Sequence, residues 1–336
     1  MKQLLFFKFI ILITLVFSVA RAQNPKYPAE LTVDINGSGN YKSIQEAINS
    51  VRDLGEREVK IFIKNGTYKE KVIIPSWKTR IKLIGETQAH TIISFDDYSG
   101  KLYPGGKDLF GADKFSTYTS YTFLVQANDI TLENLTVVNT SGRVGQAVAL
   151  HVEGDRFVAK NCSFLGNQDT LYAATENSRQ LYTNCYIEGT TDFIFGKATA
   201  VFQYCTIKSL SNSYITAAAT SANQQFGFVF MNCKLIAADG VDKVYLGRPW
   251  RPYAKTVFLN SDLGAHIVAE GWNPWKGDVM FTDKEKTAFY AEYKNTGLGA
   301  GTEKRVAWSK KLSDKQAKLY DVLTVLKRKD NWNPSN

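Results

Sequence analysis

The chain is poor in the residues on which much enzyme chemistry depends. It has three histidines in 336 residues, His90, His151 and His266. None has a serine or cysteine in a recognisable nucleophile setting, and no Gly-x-Ser-x-Gly elbow occurs, so Ser/His/Asp catalysis has no foothold. Histidine and cysteine are nowhere clustered at ligand spacing, which argues against a metal centre. No aspartate cluster suits calcium either. Asn-Gly and Asp-Gly turns are sparse, Asn65-Gly66 and Asp239-Gly240 being the main ones, so a β-sandwich built on tight hairpins is disfavoured. Long apolar runs are missing beyond the first 22 residues. There, Lys2 and Lys8 precede the run Phe9 to Ala20, and Ala20-Arg21-Ala22 fits a small-x-small cleavage site before Gln23. Residues 1–22 therefore read as a secretory signal peptide, which implies a secreted protein, periplasmic or extracellular. An uncleaved anchor is the alternative, but a span needs about 20 apolar residues and Lys8 interrupts this run.

Cysteine is scarce but regular. Cys162, Cys185, Cys205 and Cys233 each sit in a similar tetrad, such as Asn161-Cys162-Ser163-Phe164 and Asn184-Cys185-Tyr186-Ile187. They read as one inward-facing position repeated, hence as buried thiols. A Cys185–Cys205 disulfide between adjacent coils stays open. The composition, 44% apolar and 22% charged, is globular. No composition break divides residues 23–336, so they read as a single domain. The formal charge is +9; without Lys2, Lys8 and Arg21, 38 basic residues face 32 acidic ones, a net +6. That balance favours an acidic partner, either nucleic acid or an anionic polysaccharide, unless it only maintains solubility.

What the chain has in quantity is repetition. Gln146-Ala147-Val148-Ala149-Leu150, Asp169-Thr170-Leu171-Tyr172 and Asp192-Phe193-Ile194-Phe195 begin 23 residues apart, as do Cys162 and Cys185. Asparagine recurs before Leu135, Cys162, Cys185, Cys233 and Ser261, with Tyr204 replacing it once. A fixed period with variable loops predicts an all-β parallel β-helix, and stacked asparagines can bond to one another along it. Strands are expected at Glu30 to Asp34, Val59 to Ile63, Lys71 to Ile74, Arg80 to Ile84, Thr91 to Ser94, Thr122 to Gln126 and Ile130 to Val138. Ser43 to Val51 predicts a helix with a Ser43/Glu46 capping box, placed to cover the N-terminal end of the stack. Ser313 to Lys327 predicts a second helix, with Ser313 and Gln316 as its capping box and Ala317, Tyr320, Leu323 and Leu326 as its apolar face. Asn212 to Phe226 and Asp239 to Lys243 read as longer loops on one side.

On such a stack Gln146, Asp169 and Asp192 form a column on successive coils about 4.8 Å apart. Two facing carboxylates are destabilising, so one of them should hold a proton, a familiar catalytic arrangement. Turn-capping aspartates are the structural alternative. A close carboxyl pair suits a retaining glycosidase or an esterase in which one acid attacks and the other shuttles the proton. Gln146 and Gln168 supply neutral donors suited to an oxyanion, which favours the esterase. Arg248, in Leu246-Gly247-Arg248-Pro249-Trp250, can hold a carboxylate bidentately, and Trp250 can stack on a sugar; a turn with an aromatic plug is the alternative. Gly66-Thr67-Tyr68-Lys69-Glu70 reads as a structural turn leading into a strand.

From about Leu31 to Trp308 the sequence resembles the pectin methylesterase (pectinesterase) family. The segments that carry the likeness are Gly66 to Glu70, Gln146 to Leu150, Gln168 to Leu171, Asp192 to Gly196 and Leu246 to Trp250. The resemblance implies a right-handed parallel β-helix with an N-terminal capping helix and a C-terminal helix, and an aspartyl esterase with no metal or cofactor. Its substrates are implied to be methyl-esterified homogalacturonan (pectin) and water, with no nucleic acid, no membrane after signal removal, and a monomeric chain. By position Asp192 is implied as nucleophile, Asp169 as acid/base, Gln146 and Gln168 as the oxyanion hole and Arg248 as the group orienting Asp192. Trp250, Thr117, Tyr172 and Phe193 are the implied substrate-binding set. A β-helix glycosidase or lyase acting on polygalacturonate is the alternative; the one makes new reducing ends and the other needs calcium and makes unsaturated products.

Overall fold

The computed structural model describes residues 27–330 and 332–334; the expected signal peptide lies outside them. Among the described residues the strands form three sheets of eleven, eight and seven strands, and every strand pairing is parallel. Within each sheet the strands follow one another in chain order while the chain visits the three sheets in turn. The result is a right-handed parallel β-helix, as expected. Its interior is filled from all three walls. Tyr182, Phe202, Phe230 and Phe258 stack along the axis with ring centroids 4.8, 4.5 and 4.3 Å apart. Burying each such ring contributes roughly 1.5–3 kcal/mol.

The recurring asparagines mark the corner between two walls. Asn134, Asn161, Asn184, Asn232 and Asn260 all have φ between 49° and 55°, and so does Tyr204, at 55°. Asparagine tolerates this left-handed backbone better than most residues, which explains the recurrence. One side-chain link joins the column, Asn161 Nδ2 donating to Asn134 Oδ1 at 3.3 Å, so backbone geometry dominates over the amide ladder. The corner also splits the strand expected at Ile130 to Val138 into Ile130–Glu133 and Thr136–Asn139, on different sheets. Just past the corner the four cysteines form a buried column of free thiols, without a Cys185–Cys205 disulfide. Each Sγ of Cys185, Cys205 and Cys233 donates to a carbonyl of the coil before it, those of Ala159, Tyr182 and Phe202.

The N-terminal helix Ile44–Ser50 lays Ile44, Ala47 and Ile48 on the open end of the core. Ser43 caps it by accepting from Glu46 N. Glu70 completes the cap in place of a reciprocal Glu46 bond: its carboxylate accepts from Ser43 Oγ, Ile44 N and Gln45 N at 2.8, 3.0 and 3.0 Å. The turn ending in Glu70 therefore sews the capping helix to the first coil. The C-terminal helix is not continuous. Asp314–Ala317 and Val322–Leu326 are separate short helices, each with its own cap, Ser313 and Asp321. Leu326 is buried as expected, with Val325 beside it, whereas Leu323 is exposed. This segment covers the outer face of the eleven-stranded sheet at Val158, Leu181, Val201 and Val229. Arg179, buried in that face, binds both Asp155 and Asp330 and pins the tail there.

Candidate active site

The seven-stranded sheet runs Val72–Ile74, Phe123–Val125, Leu150–Val152, Leu171–Ala173, Ile194–Gly196, Tyr214–Ala218 and Tyr245–Pro249. Asp169 and Asp192 stand two residues before its fourth and fifth strands, each at positive φ, 65° and 49°. Leu171 pairs with Ile194, and counting back two residues on each coil sets the aspartates side by side. Their 23-residue period is thus one turn of the helix. Gln146 departs from that column. It bridges to Gln168, and by Leu150, whose partner is Leu171, the offset has shortened by one more residue. The two amides form their own pair, one position upstream of the two acids.

Side chains facing outward on this sheet form a second column: His151, Tyr172, Phe195, Ala217 and Arg248 are successive partners in register. Tyr172 stacks on Phe195 at 4.4 Å with the planes 8° apart. Tyr118 and Trp250 extend this aromatic wall, 5.6 Å from Tyr172 and 5.9 Å from Phe195 respectively. Phe193 is not part of it. It is fully buried in the core, since the strand that starts after Asp192 turns Phe193 and Ile194 inward and Phe195 outward. Stepping 23 residues on from Tyr172 gives Phe195, so the repeat contains the signal that locates the wall residue. His151 packs beneath Tyr172, ring centroids 4.5 Å apart, and faces Glu153.

Ala217, small, lies between Phe195 and Arg248 and leaves space for the guanidinium to reach Asp192. Arg248 Nε donates to Asp192 Oδ1 at 3.0 Å and Nη2 to Oδ2 at 2.6 Å. The guanidinium is sandwiched between Tyr214, 3.9 Å from its ring centre, and Trp275, at 3.5 Å. Gly247 is required beside it: a Cβ there would meet Thr216 Oγ1 at 1.9 Å. Behind Trp275 lies a fully buried ammonium, Lys284, 4.4 Å from the ring and paired with Asp278 at 2.6 Å. Trp275 itself has φ 57°, held by its N–H donating to Asn273 Oδ1 at 2.8 Å. On the opposite rim Lys71 Nζ binds Asp97 and Thr119 O at 2.5 and 2.6 Å. That tie fixes the turn carrying Thr117 and Tyr118.

These residues enclose a groove of about 240 Å³, lined by Gln146, Gln168, Asp169, Asp192, Thr117 and Arg248 together with Tyr118, Phe195, Trp250 and Trp275; Tyr172 stands behind Phe195 and Tyr118 and does not line it. The acids differ. Burial raises the pKa of both, but at Asp192 the Arg248 hydrogen bonds and charge, with help from Lys284, oppose that rise. Asp169 is pushed well above the usual carboxylate range by burial and by the charge of Asp192. Among the described residues nothing hydrogen-bonds its carboxyl. The net rise at Asp192 is therefore smaller than at Asp169, which makes Asp192 the readier of the two to ionise and Asp169 the readier to keep a proton. The side-chain amides of Gln146 and Gln168 likewise meet no partner among the described residues, and both line the same groove. Tyr214 falls within the segment expected as a loop from Asn212 to Phe226, which instead contains the strand Tyr214–Ala218. Trp275 and Lys284 lie in irregular chain outside the 23-residue period, and no motif marks them.

Fold and groove together define a class: β-helical proteins with a paired-carboxyl site beside an aromatic wall. Within it the chain belongs to the pectinesterase family, whose members are carboxylic ester hydrolases; the family model described as Pectinesterase matches residues 30–329. It is similar to "Probable pectinesterase/pectinesterase inhibitor 64" of Arabidopsis thaliana, 37% identical over 91% of this chain and 53% of that protein. The chain thus spans about half the length of that relative. Among solved structures, the pectin methylesterase from carrot is 33% identical with a TM-score of 0.75, covering 84% of this chain and 88% of that one. A pectin methylesterase in complex with a hexasaccharide is 31% identical with a TM-score of 0.77, covering 92% and 98%.

Proposed function

We propose that this chain hydrolyses the methyl esters of galacturonate units in pectin, releasing methanol. It would do so as a secreted, single-domain aspartyl esterase. The observation that carries the reading is the unequal acid pair: Asp192 gripped by Arg248 through two bonds, and Asp169 buried beside it with its pKa raised. An Asp192 carboxylate oxygen attacks the ester carbonyl carbon, and the carbonyl oxygen gains negative charge that the Gln146 and Gln168 amides stabilise. As the bond to the methoxy oxygen breaks, protonated Asp169 gives it the proton, and methanol leaves. The remaining acyl-enzyme is an anhydride between Asp192 and the galacturonyl group. Asp169, now a carboxylate, takes a proton from water; the hydroxide adds to the galacturonyl carbon and Asp192 departs as carboxylate. Asp169 ends protonated, as it began. Neutral amide donors aimed at an acyl oxygen favour this course over attack on a glycosidic carbon, whose transition state is cationic.

The test is incubation of the purified protein with methylated polygalacturonate, with and without chelator, while methanol and reducing ends are measured. Methanol without new reducing ends is the expected result in both conditions. Asp192→Ala should lower methanol release at least about 1,000-fold, the scale on which covalent and electrostatic catalysis operate, with its circular dichroism preserved. A variant that kept substantial activity would remove Asp192 from the nucleophile's role.

A further inference from the structure

Between the strand Thr91–Phe95 and the turn Thr117–Thr119 the chain leaves its coil for an arm, closed by an antiparallel bridge from Leu102 to Lys114. Both feet of the arm reach the groove. On the outgoing foot the Ser99 N–H donates to Gln146 O at 2.9 Å. The returning foot carries Thr117 and Tyr118 into the groove lining. Lys71 joins the two: its ammonium binds the Asp97 carboxylate on the first and Thr119 O on the second. It sits 4.3 Å from the ring centre of Phe115 and 4.7 Å from that of Tyr121. Asn139 completes the knot, its Nδ2 donating to Asp97 O, Ser120 O and Val148 O at 2.8, 3.2 and 3.1 Å. Asp97 and Asn139 are 2% and 3% exposed, so this is a buried polar cluster. A buried ion pair is a poor source of stability, whereas an ammonium with three donors can hold two chain segments at one point. Lys71 also follows directly on Glu70, so the turn that sews on the capping helix reaches the groove as well.

We infer that Lys71 is a positioning residue for the esterase site, holding the feet of the arm so that Gln146 and the Thr117–Tyr118 rim keep their places. The inference rests on the pectin reading above only for what Gln146 does in the reaction. Lys71 touches no reacting atom and acts along two routes. Through Asp97 and the Ser99 N–H it fixes the Gln146 backbone, from which the oxyanion donor projects. Through Thr119 O it fixes the turn that lines the groove. Slack in the first route lowers kcat, and slack in the second raises KM.

The experiment measures kcat and KM for methanol release in Lys71→Met and Lys71→Arg. Lys101 Nζ, 3.0 Å from the Asp97 carboxylate, keeps that acid paired when Lys71 is replaced. Should Lys71→Met fold poorly all the same, combining it with Asp97→Asn removes both buried charges and carries the same expectations. Lys71→Met should lower kcat about tenfold, part of the roughly 100–1,000-fold that follows outright loss of an oxyanion donor, and should raise KM. Lys71→Arg should recover most of both. In a Gln146→Ala background Lys71→Met should leave kcat where it stands, because the donor that it positions is already gone. The second measurement is amide exchange without substrate: the Ser99 N–H should exchange faster in Lys71→Met and at the unaltered rate in Lys71→Arg. Losses that multiply in full with Gln146→Ala, or an unmoved Ser99 amide, overturn the inference. If the unaltered protein releases no methanol, the esterase reading fails; exchange at Ser99 then decides alone whether Lys71 holds the arm to Gln146.

Discussion

Asp169 lives in an environment that opposes its charge, and that has a consequence for stability. Its pKa in the folded chain lies well above the ordinary value of 3.8. A group whose folded pKa is raised binds more protons folded than unfolded, so its contribution is fully present below the unfolded pKa and is lost as pH rises through the folded one. Asp169→Asn removes that loss. Its melting temperature should match that of the unaltered protein near pH 4, the ordinary carboxylate range, and exceed it increasingly toward neutrality. A gap that shrinks with pH would contradict the protonated state assigned to Asp169. The single-residue features that the sequence revealed were those governed by the repeat: both aspartates, and Arg248 within its motif. Phe193, which the resemblance implies as a substrate contact, is buried instead, because the residue after the left-handed corner at Asp192 starts the strand facing inward. Gln146 sits one position off the column of aspartates because coil length varies, and a constant 23 in sequence conceals a bridge of 22 in space.

At the level of elements, two small structures outside the repeat support it. Glu70 holds the capping helix by three hydrogen bonds. Glu70→Ala should cost about 2 kcal/mol, the upper range for a lost N-terminal cap, measured as a shift in the midpoint of chemical unfolding. The irregular segment between Trp272 and Phe289 stacks Lys284, Trp275, Arg248 and Tyr214 in succession. Lys284 touches no reacting atom; it is a positioning residue acting through Trp275 and through its charge. Lys284→Met should lower kcat about tenfold, a loss of the order of one charge-assisted contact, and should move the acid limb of the pH–rate profile upward, since Lys284 helps hold Asp192 ionised. Lys284→Arg should recover much of both. A fall in kcat with an unmoved acid limb would leave Lys284 a merely structural role. No sequence pattern reveals this segment: contacts between a loop and a distant coil follow neither a 2-residue nor a 23-residue period.

Across the whole molecule, each coil rests only on its neighbours, so stability accumulates along the axis rather than around one centre. Phe230 lies between Phe202 and Phe258 in the axial stack and is fully buried. Phe230→Ala should cost about 3–5 kcal/mol, and amide exchange should speed most on the coils either side, with the helix-capped N-terminal coils the least affected. Uniform acceleration would mean that the stack melts as one unit. This architecture was readable in advance because each coil repeats the same polar corner and apolar strand. The tail was less so: its periodicity suggested one helix, whereas a curved sheet face and the Arg179–Asp330 pair seat two short ones.

The cysteine column bears on how such a chain can be produced. Four sulfurs sit in the interior and none is bonded to another, so the native state contains no cross-link for a reductant to cleave. Dithiothreitol should therefore leave its heat resistance unaltered. Cytoplasmic expression, where glutathione keeps thiols apart, should yield the same protein as export.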